Sequence, residues 1–304
     1  MNEKENIGLI TVITPTYNKF DTLRNTIDSV LMQDYRDIEY IITDDGSAGF
    51  PQKEIDDYIS KRKNNIKRYK IIHHKDNVGT VKNLNNAISN ANGKIIMFLS
   101  SDDVFYSDDV ITKVCEEFDK RKCDLLVASR YCVDKNGQFE YYLPHISDRK
   151  AIEKWDKEEQ RRRLARSTYR NMASGSIMYV RKSVFENMGG FDEKYVLWED
   201  GPFLFNFTQY TKIECAYDLI AIKYRVDGIS SGKNPILVND GIYFDLNIVP
   251  NVLSNDGFLS KEFMTYKRKK NEKGRNYLFF RFPHIYCIYF YEYIRDLFLK
   301  KCHK

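Results

Sequence analysis

The stretch that most constrains this chain is Ile95-Ile96-Met97-Phe98-Leu99-Ser100-Ser101-Asp102-Asp103, an apolar run that ends in two adjacent carboxylates. An unbroken run of five apolar residues after Gly93 predicts a strand buried on both faces of a sheet, since a half-exposed strand would alternate. The two aspartates then stand at its carboxyl end, the edge at which open α/β sheets bind ligands. Neighbouring carboxylates repel one another unless a cation lies beside them. A divalent metal shared with the phosphates of a ligand would supply that cation. An Asp-Asp turn or helix cap is the other reading of the same pair.

The preceding residues alternate between strand and helix patterns. Leu9 to Thr14 is apolar and β-branched, and Pro15 is expected to stop it. Leu23, Ile27, Val30 and Leu31 recur at helical spacing, and Ile38 to Thr43 is a second strand that also runs into a carboxylate pair, Asp44-Asp45-Gly46-Ser47. A helical pattern over 51–64, a strand from Arg68 to His73 and a helix carrying Val81, Leu84, Ala87 and Ile88 follow. Such alternation predicts parallel strands joined by right-handed crossovers. A nucleotide-sized crevice should open above the first, second and fourth strands, with Asp45 and Asp103 on one rim. No GxGxxG follows the first strand and no GxxxxGK[ST] occurs, which argues against a dinucleotide dehydrogenase and a P-loop NTPase.

Composition narrows the class further. The 304 residues can bury a full core. Six cysteines are scattered without CxxC spacing, and His73, His74 and His145 show no metal-ligand spacing, so zinc is not indicated and reduced thiols in a cytoplasmic protein are expected. Met1 to Glu5 begins no signal-peptide core, and no run reaches the roughly 18–20 apolar residues of a membrane span. The net charge of +5 is matched by the stretch from Lys267 to Arg275, which carries six basic residues against Glu272 alone. A local basic patch is therefore expected, and nucleic-acid binding is not.

Taken in order, Val12-Ile13-Thr14-Pro15-Thr16-Tyr17-Asn18, Ile42-Thr43-Asp44-Asp45-Gly46-Ser47, Asn77-Val78-Gly79, Ser101-Asp102-Asp103, Met172-Ala173-Ser174-Gly175, Gly189-Gly190-Phe191-Asp192-Glu193 and Trp198-Glu199-Asp200 resemble the motifs of family-2 glycosyltransferases, over about residues 8–226. The resemblance implies an α/β GT-A fold with a mostly parallel central sheet flanked by helices. It also implies inverting transfer from a nucleotide-sugar donor, usually UDP-linked, with Mg2+ or Mn2+. Carried over by position, Pro15, Thr16, Tyr17, Asn77 and Gly79 belong to the nucleotide-sugar site and Asp45 meets the uracil. Asp103 is the chief metal ligand, Asp102 lies nearer the ribose or sugar, and Asp200 falls where the family keeps its base, with Glu199 as the fallback. The catalytic domain is expected over 1–230, with a nucleotide-sugar half to about 105 and an acceptor half beyond it, followed by a C-terminal helical appendage over 231–304.

Local chemistry leaves alternatives at several positions. Asp200 precedes the apolar helical pattern of Pro202 to Phe207, where it would serve equally as a helix cap or as the carboxylate that takes a proton from an acceptor hydroxyl. Trp198 suits a sugar face or the core, Asp192 a sugar hydroxyl or a turn, and Arg225 a diphosphate or a surface ion pair. Gly189-Gly190 reads as a helix stop. Asp124 to Cys132 and Gln138 to Leu143 predict a hairpin, and 150–166 a charged helix beside the acceptor cleft. The polymer-synthase signature QxxRW is absent, which favours limited over processive addition to a glycan or lipid-linked acceptor of a bacterial surface polysaccharide. A sugar nucleotidyltransferase would carry a Gly-rich, Arg-containing loop that Pro15 to Phe20 does not supply. A non-catalytic nucleotide- or anionic-lipid-binding scaffold is the remaining alternative.

Beyond Lys261 the basic run leads into Tyr277 to Pro283 and an aromatic helix. Aromatic and basic residues together suit a lipid headgroup region, so 267–304 is expected to touch an anionic membrane at the inner face of the cell membrane, or to pack on protein, a second copy of the chain included.

Overall fold

The computed structural model describes residues 8–62, 65–134, 136–226, 234–253, 257–270 and 272–302. Met1 to Glu5, Asn64, Lys135, Asp227 to Ser230 and the expected domain boundary at 230/231 lie outside them.

The N-terminal half runs β1 (Ile10–Thr16), α1 (Leu23–Leu31), β2 (Ile38–Asp44), α2 (Gln52–Ser60), β3 (Ile66–His73), α3 (Thr80–Asn90) and β4 (Ile95–Phe98). These strands pair in parallel in the order β3-β2-β1-β4, with Ile10 opposite Ile38 and Thr16 opposite Asp44. Contrary to the expectation from the sequence, Pro15 does not stop β1. The strand continues to Thr16, because a proline near the end of a strand forfeits one donor without breaking extended backbone.

Alternate side chains of these strands feed two cores. Ile13, Ile41, Ile96 and Phe98 face α3 through Val81, Leu84, Ala87 and Ile88. Val12, Tyr40, Ile42, Met97 and Leu99 face α1 and α2 through Leu23, Ile27, Val30, Ile55 and Ile59. Both faces are therefore dry, which explains the unbroken apolar runs. Each such side chain contributes about 1.5–3 kcal/mol relative to exposure.

The chain continues through β5 (Val104–Phe105), α4 (Val110–Arg121), β6 (Leu125–Val133), β7 (Phe139–Leu143), α5 (Ile146–Ile152), α6 (Lys157–Arg166), β8 (Met178–Arg181), α7 (Lys182–Met188), α8 (Asp200–Phe207) and β9 (Glu214–Arg225). Here the pairing is mixed. β8 is antiparallel to β4 and β6, β9 is parallel to β6, and β7 is antiparallel to β6 as the hairpin pattern predicts. The sheet order is β3-β2-β1-β4-β8-β6-β9-β5. The single helix expected over 150–166 is two. Asp156 ends the first stretch and starts α6 by accepting the Glu159 N–H at 2.7 Å. Gly189 closes α7 in the left-handed region, the helix stop read from the sequence.

The C-terminal helices are α9 (Pro235–Asn247), α10 (Val249–Leu253), α11 (Gly257–Lys270), α12 (Arg275–Arg281) and α13 (Pro283–Cys302). Phe244, Phe263, Leu278, Phe282 and Ile285 join the same core as α3. Polar clamps fix α13. Tyr289 donates to the Arg166 carbonyl at 3.0 Å, buried His145 meets Asp296 at 2.8 Å, and Arg170 bridges Asp148 and Glu292, each at 3.3 Å. The expected basic patch is smaller than its sequence. Lys267 is buried in an ion pair with Asp245 at 2.6 Å, Lys270 pairs with the same carboxylate, and Lys269 pairs with Glu272 at 2.7 Å. A charge drawn under a helix needs a partner, and α9 supplies it. No helix among the described residues is long and apolar enough to cross a membrane.

Candidate active site

The carboxyl ends of β1, β2 and β4 open into a cleft of about 670 Å³. Its donor end is built by three tight turns. After β1, Pro15, Thr16 and Tyr17 line the wall, with Lys19 behind them. After β2, Asp44 is fully buried and structural: it accepts the Ser47 N–H at 2.8 Å and the Ser47 hydroxyl at 2.6 Å and meets His73 Nδ1 at 2.8 Å. That turn leaves Asp45 on the cleft, accepting the N–H groups of Val78 at 2.8 Å and Gly79 at 3.1 Å. Gly46, with φ +76°, comes so close to Asp76 that a Cβ would lie 2.5 Å from its carbonyl carbon. Glycine is thus required for the 76–79 segment to reach Asp45. Gly79 acts through its backbone, whereas Asn77 is exposed and is not brought to the cleft wall.

After β4, the Asp103 N–H donates to the Ser100 carbonyl at 2.9 Å, and Thr26 donates to the Asp103 carbonyl at 2.8 Å. These bonds present Asp102 and Asp103 side by side. Lys19 pairs with Asp102 at 2.5 Å, and the Arg225 N–H donates to Asp103 at 3.3 Å. Asp103 is 2 % exposed. Burial, then the adjacent Asp102 charge, push its carboxyl well above the ordinary range, against the pull of the Arg225 N–H, Arg130 and Lys19. This electron-rich pair fits a hard divalent cation, because a cation would relieve both the repulsion and the desolvation. Among the described residues no cluster of three or more His, Cys, Asp or Glu side chains gathers to hold a metal. Two adjacent carboxylates would leave open positions on such an ion, which oxygens of a phosphate-bearing ligand could fill.

The opposite end is assembled from distant pieces. Asp200 heads α8, yet it does not merely cap it. One carboxylate oxygen accepts the neighbouring Gly201 N–H and the other the Gly175 N–H, both at 2.7 Å. Burial raises its pKa against those two N–H bonds and Arg130, and burial followed by the Asp200 charge raises that of Glu199. A side chain at Gly175 would put its Cβ 2.9 Å from a Glu199 carboxylate oxygen, so the Glu199 carboxylate must shift if that glycine is replaced. Trp198 lies half in the core, edge-on to Phe244 with ring centres 5.2 Å apart, and half on the cleft. Asp192 is not brought to this cleft. It lines a separate hollow beside Asn85 and Gly190, where it accepts the Lys194 N–H at 3.0 Å, the turn role.

Three contributors were not apparent from the motifs. Arg130 points from β6 into the cleft, and its signal was a lone cation inside the buried run Leu125–Val133. Tyr169 adds to the wall beside it. Asp240 of α9, buried, accepts the N–H groups of Val196 at 3.0 Å, Leu197 at 2.7 Å and Trp198 at 3.0 Å, caging the segment that leads to Glu199 and Asp200. No local pattern marks an aspartate within a helix for such a task.

Residues 11–189, more than half of the chain, match the family described as Glycosyl transferase family 2. The chain belongs to that family. An uncharacterized glycosyltransferase of Rickettsia prowazekii is 28% identical over 229 residues, covering 73% of this chain and 66% of that protein. Glycosyltransferase GlyG of Streptococcus pneumoniae is 29% identical over 136 residues, 44% of each chain, and the match to a Rickettsia bellii glycosyltransferase spans 19% of that protein. The chain thus spans less than half the length of several relatives it matches. Among solved structures, Staphylococcus aureus TarS 1–349 in complex with UDP-GlcNAc superposes with a TM-score of 0.60 at 16% identity, over 86% of this chain and 73% of that one. The mannosyltransferase PcManGT of Pyrobaculum calidifontis in complex with GDP-Man and Mn2+ gives 0.54 at 13% identity, over 91% and 68%. These likenesses establish the fold.

Proposed function

We propose that this family-2 protein transfers a sugar, with inversion, from a nucleoside diphosphate donor, uridine-linked, to a hydroxyl of a glycan or lipid-linked glycan in bacterial surface-polysaccharide synthesis. The observation that carries this reading is the convergence of Asp45, the Asp102–Asp103 pair and the Glu199–Asp200 pair on one cleft, although they are far apart in the chain.

Pro15, Thr16, Tyr17 and Asp45 hold the base and ribose. Each Asp45 oxygen retains a lone pair beyond the Val78 and Gly79 N–H bonds, enough to accept from a uracil imide. Asp103, with Asp102 beside it, would hold Mg2+ or Mn2+, which when bound neutralises charge growing on the leaving diphosphate. Asp102 is steered by Lys19 toward the ribose or sugar. Asp200 accepts the acceptor hydroxyl proton, and its raised pKa brings it nearer to working pH as a base. The Gly175 and Gly201 N–H bonds fix its direction. Glu199 shares that acidic pocket and is the fallback for the base. Trp198 offers its exposed part to a sugar face.

A panel of nucleotide-sugars, followed for metal-dependent hydrolysis and transfer, tests the reading. Turnover of one donor is expected, with a loss of about 10²–10⁴-fold in Asp103→Ala. Unchanged turnover in that variant would remove Asp103 from the site.

The C-terminal helices suit a cytoplasmic membrane face. Phe280 is 80% exposed, and Phe290, Tyr291, Tyr293 and Phe298 are exposed with Arg268, Lys273 and Arg275, while the opposite side of α13 packs on the catalytic core. Rings partition at headgroups and the basic residues meet anionic lipid. Flotation with anionic vesicles, lost when Phe280, Phe290 and Phe298 become serine, is the expected result. Self-association without flotation would give this face to a second copy instead.

A further inference from the structure

Arg130 is a buried cleft cation that the chemistry above leaves without a task. It interrupts β6 between buried Ala128 and Cys132, is 6 % exposed, and lies over the Tyr224 ring at 4.8 Å. Its Nε is buried and finds no hydrogen-bond partner among the described residues. A buried N–H donor left without an acceptor is destabilising, so a strand that carries one into a cleft is built for an acceptor that arrives from outside. Its position is specific. It lines the same cleft as Asp103 and Asp200 and pulls both carboxyls down. In the sheet β6 is separated from β1 by β4 and β8, away from Pro15 and Asp45 and beside Tyr169 and Tyr224.

We propose that Arg130 is an anion-recognition residue whose planar guanidinium receives a phosphoryl group carried into the cleft by a reactant. The inference rests on the transferase reading. A guanidinium matches two phosphoryl oxygens with parallel N–H donors, and the Tyr224 face holds its plane in register. Such a group has two sources, the diphosphate of the donor and a phosphate borne by the acceptor. Five carboxylates line the cleft, Asp45, Asp102, Asp103, Glu199 and Asp200, against Lys19, Arg130 and Arg225, so an anionic reactant gains from the Arg130 counter-charge.

Calorimetric titration separates the sources. UDP with Mg2+, and glycerol 3-phosphate added to the UDP-saturated protein, are titrated into the wild type and Arg130→Met. A loss of about 10- to 100-fold for one probe is expected. Loss for UDP assigns Arg130 to the donor diphosphate, and loss for glycerol 3-phosphate assigns it to the acceptor. Equal affinities in both proteins, with matching melting temperatures, overturn the proposal, as does failure of the wild type to bind either probe. Should Arg130→Met not fold, Arg130→Lys keeps the charge but not the fork, and wild-type affinity in that variant equally overturns it. A wild type that binds a probe through Arg130 but turns over no nucleotide-sugar refutes the transferase reading and leaves this one standing.

Discussion

The two ends of the cleft are made in different ways. At the end proposed to take the donor, the side chains sit at or within five residues of the carboxyl ends of parallel strands, in turns held partly by their own neighbours: Ser47 fixes Asp44 and the Ser100 carbonyl fixes Asp103. At the acceptor end Asp200 depends on Gly175, the segment before it depends on Asp240, and Arg130 comes from a third strand. The donor end is a property of local segments on a rigid sheet. The acceptor end is a property of packing between segments, so it should be the easier one to disturb from a distance.

Four substitutions probe that contrast, beginning with the largest effect. Asp200→Asn should lower transfer by about 10²–10⁴-fold while UDP binding stays near that of the wild type. The wild-type kcat/KM profile should show its acid limb above the ordinary carboxylate range, because burial raises Asp200 and Glu199, so activity rises with pH as the pair ionises. A limb at the ordinary carboxylate value would remove the pair from the chemistry.

Gly175→Ala comes next. Its Cβ must displace a Glu199 carboxylate oxygen 2.9 Å away, the far end of a flexible side chain, while Asp200 stays in ordinary contact, so kcat should fall by no more than about 10-fold. Donor KM should hold, and a rise in donor KM with unchanged kcat would show that the two ends are not separable.

Asp240→Ala strips the acceptor from three backbone N–H groups and should cost about 2–4 kcal/mol in urea unfolding. Activity measured well below the melting temperature should fall as well, in kcat more than in donor KM. Intact kcat would reduce Asp240 to a purely stabilising role.

The smallest effect is a gain. Glu199 has a folded pKa above its unfolded value, so the folded state binds its proton more tightly, and stability declines as pH rises from the unfolded toward the folded pKa. Glu199→Gln removes that decline. It should melt a few degrees higher at neutral pH, with a flatter dependence of melting temperature on pH and reduced activity. An unchanged pH dependence would mean that Glu199 is not desolvated in solution.

The C-terminal helices extend the contrast. Lys267 and Lys270 read as part of a surface patch, yet Asp245 of α9 draws Lys267 inward and pairs with Lys270 at the surface, and what remains outside is aromatic as well as basic. Charge counted along the chain overstated the basic face, because the partner lies 22 residues upstream.

The sequence by itself determined the donor end. Buried strands show as apolar runs, their turns show as Pro15, Gly46 and paired aspartates, and parallel order follows from alternation, since each is a short-range consequence of backbone sterics and burial. It also placed Asp103 and Asp200 at element ends, where side chains reach a crevice. Only the tertiary structure decided that Asn77 and Asp192 stay off the cleft wall, that Asp240 holds the segment before Glu199 and Asp200, and that Arg130 lines an open cavity with its Nε lacking a partner among the described residues. Those facts depend on which long-range neighbours supply or withhold a hydrogen-bond partner, and local spacing carries no record of that.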